Sequence, residues 1–141
     1  MSPRRYVLDA NALIGHFEDR DGISAKVERL MQEAQRLDSP LLMSTVNWGE
    51  VFYIVWKIYG EAKAREAEAN VSDMPIIFVA VDFGHATRAA ALKQKHRLGY
   101  ADSFAAELAI ERGASLVTAD PGFARVGKTL SIYPLPRHES S

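Results

Sequence analysis

The sequence predicts an α/β fold in which a parallel sheet is covered by helices on both faces. Three observations carry this reading. Short apolar runs alternate along the chain with longer stretches of helical periodicity. The short runs are apolar throughout rather than alternating, as strands buried on both faces require. The length, 141 residues, fits one domain spanning 1–141, since domains run about 100–200 residues.

The elements follow in order. Tyr6-Val7-Leu8 is an apolar run that stops at Asp9 and reads as a buried strand. Asn11 opens a short helix through about Phe17, and Glu18 to Gly22 is a polar turn. Val27, Leu30, Met31, Ala34 and Leu37 recur at helical spacing, and that helix stops before Ser39-Pro40. Leu41-Leu42-Met43 is the second strand, and Ser44 is placed to cap the helix that runs to Tyr59. A polar helix follows Gly60 and ends near Ser72. Ile76 to Val81, rich in β-branched residues, is the third strand. An Ala-rich helix from about Gly84 to His96 is expected to end at Gly99, and another from about Ala101 to Arg112 at Gly113. Leu116-Val117-Thr118 is the fourth strand, Asp120-Pro121-Gly122 a turn, and Leu130-Ser131-Ile132 the fifth strand. The polar tail from about Arg137 is expected to fray.

Composition removes several classes. With no cysteine there is no disulfide scaffold, thiolate zinc site or cysteine nucleophile. No apolar run approaches the roughly 18 residues of a spanning helix, and the start, Met1 to Arg5, lacks the apolar stretch of a signal peptide. A small soluble, cytoplasmic protein is expected. The four histidines show no metal-ligand spacing, and neither a Gly-rich phosphate loop nor a G-x-S-x-G elbow is present.

In open parallel sheets ligands bind beyond the carboxyl ends of the strands, so the residues that follow strands are the ones to examine. Asp9 follows the first strand and Asp120 closely follows the fourth. Glu50 lies beside the apolar stripe of Val51, Ile54, Val55 and Ile58, with Asn47 on the same stripe, in the second turn of a helix that starts where strand two ends. Asp102 sits in the first turn of its helix. Each acid also has a purely structural role open to it: Asp9 or Asn11 as a helix cap, Asp102 as a complement to a helix dipole, Asp120 in an ordinary turn, Glu50 in an ion pair. Four carboxylates gathered without a counter-charge repel and raise one another's pKa values. A hard divalent cation resolves that conflict, because Mg²⁺ and Mn²⁺ prefer oxygen donors. Such an ion activates water and neutralises phosphate charge, which points to phosphodiester hydrolysis.

Four segments, in order, then carry a resemblance: Asp9-Ala10-Asn11-Ala12-Leu13-Ile14, Ser44-Thr45-Val46-Asn47-Trp48-Gly49-Glu50, Tyr100-Ala101-Asp102-Ser103-Phe104-Ala105-Ala106, and Leu116-Val117-Thr118-Ala119-Asp120-Pro121-Gly122-Phe123. Together they resemble the PIN-domain ribonucleases, and more closely the VapC toxins of toxin–antitoxin pairs, over nearly the whole chain. The resemblance implies a three-layer α/β/α sandwich whose five-stranded parallel sheet has the order 3-2-1-4-5. It implies an endoribonuclease that uses one or two Mg²⁺ or Mn²⁺ ions. Asp9 and Asp102 match the principal metal ligands, Glu50 a third acid that binds metal directly or through water, and Asp120 a fourth whose use varies. Asn11, Ser103 and Thr118 match flanking polar positions that orient carboxylates or water. It also implies a homodimer masked by a cognate VapB-type antitoxin.

The Ser44–Tyr59 helix is apolar almost all round, which favours a partner surface, either a homodimer contact or a docking groove. Without the four site acids the net charge of −1 becomes +3, a surplus that Arg4, Arg5, Lys95, Arg97, Arg125 and Lys128 could cluster near the rim for RNA. Other readings compete. A receiver-like phosphoacceptor domain needs an acidic pair after strand one and an aspartate after strand three, where the chain offers a lone Asp9 and Asp82. A catalytically silent PIN-like binding module, or an RNA-processing or DNA-cleaving nuclease, shares the same residues.

Overall fold

The computed structural model describes residues 4–137. The starting residues Met1 to Pro3, and all of the polar tail beyond Arg137, lie outside them. The five strands, β1 (Tyr6–Leu8), β2 (Leu41–Ser44), β3 (Ile76–Val79), β4 (Ser115–Thr118) and β5 (Ser131–Pro134), form one sheet in the order β3-β2-β1-β4-β5. Every pairing is parallel. The fold class and strand order are those expected. The order reverses at β1, between β2 and β4, so the carboxyl end of β1 is the point where an α/β sheet opens a crevice.

Alternate strand residues separate two cores. Leu8, Leu41, Met43 and Val117 pack with helices α1 (Ala10–Phe17), α2 (Ile23–Arg36), α3 (Thr45–Tyr59) and α4 (Glu61–Val71). Val7, Leu42 and Leu116 pack on the other side, against α6 (Tyr100–Arg112) and the 3₁₀ segment Pro121–Thr129, with Leu98 at the end of α5 (Phe83–His96). Helix α6 is buried continuously from Ser103 to Ala109, and its alanines 105, 106 and 109 let it lie close to the strands. Across its outer side, His85 Nε2 of α5 lies 2.9 Å from Glu107 Oε2, and Arg88 pairs with the other oxygen, so a buried carboxylate pins α5 to α6. On the opposite layer, a Cβ at Gly15 would stand 2.7 Å from Ile23 Cγ2, so only glycine lets α1 and α2 approach this closely.

The element boundaries depart from the sequence reading in several places, among them one-residue extensions of β2 to Ser44 and of β4 back to Ser115. Helix α1 begins at Ala10, and Asp9 is its N-cap. Strand β3 stops at Val79, two residues early, because the chain must turn for Asp82 to cap α5 by accepting from the His85 N–H. Helix α5 ends in a left-handed Arg97 (φ 58°) rather than at Gly99, which instead opens α6. Pro121–Thr129 is a 3₁₀ segment bent at Gly127, where only a turn was expected, and it shifts β5 on to Ser131–Pro134. Ser44 does cap α3, accepting from the Val46 N–H at 3.2 Å, and Gly113 ends α6 as expected.

The all-round apolar α3 is only partly covered. Asn47, Val51 and Val55 face inward, and Arg65 of α4 lies over the rings of Phe52 and Trp56. Tyr53 (59% exposed), Ile58 and Tyr59 remain open, with Trp56 at 41%. No helix among the described residues is long and apolar enough to cross a membrane.

Candidate active site

The three layers end together at the carboxyl rim, and each contributes one acid. Asp9 comes from the sheet, immediately after β1, and its backbone N–H still bonds to Val117 O at 3.0 Å as a continuation of the β1–β4 ladder. Glu50 comes from α3 in one layer and Asp102 from the first turn of α6 in the other. Oxygen atoms of these three carboxylates all lie within 4.8 Å of one another. Asp120 stands outside this trio but beside Asp102, and both line a small depression with Leu98, Gly99, Gly122, Phe123 and Arg125. Asp120 also caps the 3₁₀ segment, with Oδ1 accepting from Gly122 N at 2.8 Å.

Asp9 is buried, at 2% exposed, and almost every lone pair is directed. Oδ1 accepts from Ala10 N at 2.9 Å. Oδ2 accepts from the Thr118 hydroxyl at 2.9 Å and from Asn11 Nδ2 at 3.0 Å. The two supporting residues are themselves tied to β4 and the loop after it. Asn11 Oδ1 accepts from Ala119 N at 3.1 Å, and the Thr118 oxygen accepts from Asp120 N at 3.0 Å. One network therefore fixes Asp9 and sets the backbone that carries Asp120. Ser103, also expected to support the acids, is buried with its hydroxyl donating to the Tyr100 carbonyl in its own helix.

One residue passed over as a site candidate enters the cluster. Asn47, one turn before Glu50, is fully buried and its Nδ2 donates to Ala101 O at 2.9 Å. Its place on the apolar stripe of α3 was the available signal, because an amide on a buried face needs a partner. Gly99 matters as well: a Cβ there would lie 3.0 Å from Asp102 Oδ2.

The electrostatics follow from this crowding. Burial, followed by the charge of Asp102, raises Asp9 from 3.8 to about 7, against the lowering pull of Thr118 and the Ala10 N–H. Glu50 is raised by burial and then by Asp102, and Asp102 by burial and then by Asp120. Among the described residues no lysine, arginine or histidine forms a salt bridge with any of the four. A preorganised, oxygen-only set that repels itself suits a hard cation such as Mg²⁺ or Mn²⁺, and the donor chemistry fits that group.

The comparisons agree with the geometry. The fold is similar to a chain of the VapBC2 complex of Rickettsia felis bound to a promoter DNA fragment, with TM-score 0.72 and 18% identity over 92% of this chain and 98% of that one. It is similar to VapC20 of Mycobacterium tuberculosis, a toxin that cleaves the sarcin–ricin loop, with TM-score 0.70 and 14% identity over 86% and 95% of the two chains. DNA-bound VapBC of Salmonella typhimurium gives TM-score 0.69 and 19% identity over 94% and 98%. Among curated proteins none matches the sequence. The family model described as the PIN domain matches residues 6–129, most of the described chain, and so the protein belongs to the PIN-domain family.

Proposed function

We propose that this protein is a divalent-metal-dependent endoribonuclease and the toxin of a VapBC-type toxin–antitoxin pair. The observation that carries the reading is the convergence of Asp9, Glu50 and Asp102 from three layers with no salt bridge to a basic side chain among the described residues. A charge cluster of this kind is costly unless something cationic is bound, and the family's nuclease chemistry supplies the reason to keep it.

Asp9 and Asp102 would hold the ion, Glu50 would complete the set directly or through water, and Asp120 would join from its side of Asp102. When bound, Mg²⁺ or Mn²⁺, as one ion or two, supplies an activated water and relieves charge on the scissile phosphate. The protein's own part is orientation. Asn11 and Thr118 fix the position of Asp9, and their donation to Oδ2 favours its ionised form against the opposing effect of burial. Glu50, half-buried at the edge of the cluster, orients the attacking water. Arg125 lines the same depression as Asp102 and Asp120, with its Nη1 held by the Arg97 carbonyl at 3.1 Å, and is placed to meet a substrate phosphate. Water adds to phosphorus, the bond to the 3′ oxygen breaks, and the products carry a 5′-phosphate and a 3′-hydroxyl.

The exposed apolar face of α3 supports the expectation of protein partners, a second copy and a cognate antitoxin. The named neighbours include complexes of such pairs, which favours the same assignment here.

Incubating purified protein with total RNA and Mg²⁺ or Mn²⁺, with EDTA and Asp9→Asn as controls, tests the reading. Discrete fragments that vanish in both controls are the expected result. Products ending in a 2′,3′-cyclic phosphate would sink the mechanism, since the 2′-hydroxyl would then be the nucleophile. No cleavage by folded, antitoxin-free protein would leave a silent binding module.

A further inference from the structure

We propose that Asn47 is a positioning residue that holds Glu50 and Asp102 at cation-binding separation. The inference rests on the metal-site reading above and adds a fully buried amide outside the four carboxylates. Glu50 and Asp102 belong to helices in opposite layers, which share no core cluster near the rim. The two helices are in contact, and the like charges they carry press them apart unless something ties them.

Asn47 is that tie. It lies three residues before Glu50, on the same side of α3. Its Nδ2 donates to Ala101 O at 2.9 Å, and that carbonyl belongs to the peptide unit whose nitrogen is that of Asp102. The bond therefore joins the helical turn that carries one acid to the peptide that leads into the other. Among the described residues it is the side-chain hydrogen bond that links α3 to α6.

Burial alone does not account for an amide at this position. Asn47 is 0% exposed, and its Oδ1 is buried with no hydrogen-bond partner among the described residues. A leucine of similar size would fill the space without stranding an oxygen, so the position keeps an amide for the bond that Nδ2 makes. Groups behind a metal site commonly work this way, by fixing the ligands rather than binding the ion.

The test compares wild type with Asn47→Leu and Asn47→Ser, each checked for folding by circular dichroism. Asn47→Ser is smaller than the native side chain and carries the test if Asn47→Leu does not fold. Mn²⁺ affinity is measured by calorimetry on metal-free protein, and kcat and KM on an RNA substrate over a range of Mn²⁺ concentrations. The expected result is Mn²⁺ binding weaker by about tenfold or more. The kcat falls at low Mn²⁺ and recovers at high Mn²⁺, with KM for RNA unchanged. A merely structural loss would not be restored by more metal. Folded variants that bind Mn²⁺ within about twofold of wild type overturn the assignment of Asn47 while leaving the metal site intact. Wild-type protein that binds no Mn²⁺ overturns the metal-site reading itself, and this inference with it.

Discussion

Asp9 and Thr118 stand 109 residues apart and are joined by a 2.9 Å hydrogen bond in which the threonine hydroxyl donates to Oδ2. The bond crosses from β1 to β4 at the point where the strand order reverses, so the most buried acid of the site is aimed from the neighbouring strand. Thr118→Val keeps the shape and removes this donor. It also removes the acceptor that Asp120 N and Asn11 use. The expected cost is about 1–3 kcal/mol of stability, with weaker Mn²⁺ binding, read by urea unfolding and calorimetry. Unchanged values for both would show that the network is incidental.

Asp9 gives metal-free protein a definite pH dependence. Its folded pKa, about 7, lies above its ordinary value of 3.8. Between those values the folded chain keeps a proton that the unfolded chain gives up, so stability falls as pH rises from about 4 to about 7 and levels off above. Glu50 and Asp102, raised in the same direction, add to the slope. In EDTA, the urea midpoint should be lower at about pH 8 than at about pH 5, and Asp9→Asn should remove the largest share of the difference. A midpoint that rises over this range would contradict the burial of Asp9 as an unpaired acid.

Metal should reverse that penalty. Mn²⁺ at about a hundred times its dissociation constant stabilises the folded state by about 2.7 kcal/mol if one ion binds only to it. Wild type should therefore melt higher with Mn²⁺ than with EDTA, while Asp102→Asn, which removes one of the three convergent carboxylates, should lose most of the increment. Equal melting with and without the ion would end the case for a cation site.

Arg125 separates substrate binding from metal binding. It is exposed, anchored at one nitrogen, and shares a depression with Asp102 and Asp120. Arg125→Ala should raise KM for RNA and reduce the slope of log affinity against log salt by about 0.7, the share of one phosphate contact on a single strand. Mn²⁺ affinity should stay the same. A variant with normal RNA binding would return Arg125 to the ordinary surface charges.

The legible parts of this molecule were those with a local signal. Apolar runs without alternation gave the strands and the parallel sheet. Asp9 and Asp120 stood out by their places after strands and Glu50 by its place beside a buried stripe, while Asp102 offered only its position in the first turn of a helix. The 3₁₀ segment was missed because Pro121–Thr129 has no period to read, and its start looks like any turn. Arg97 ends α5 in a conformation usually left to glycine, so the nearby Gly99 was the natural wrong choice. What distinguishes Asn11, Thr118 and Ser103 is their partners. Thr118 meets Asp9 from the neighbouring strand, Asn11 meets it from two residues away while also bonding Ala119 N beyond β4, and Ser103 bonds within its own helix, a difference that spacing does not carry. The Asn47 bond spans 54 residues and left only the hint of a polar residue on an apolar face.

The strand order also sets a timetable. Asp9 is made well before Thr118, yet the hydroxyl that aims it sits on β4, which pairs beside β1 from Ser115 onward. Asp102 and Glu50 are made in between, so early and late parts of the chain must meet before the cluster exists. A nascent chain that stops short of Thr118 carries three of the acids but lacks the strand that organises them. Under the proposed reading, a chain still in synthesis is harmless to the RNA that encodes it until nearly all of the sheet has been made.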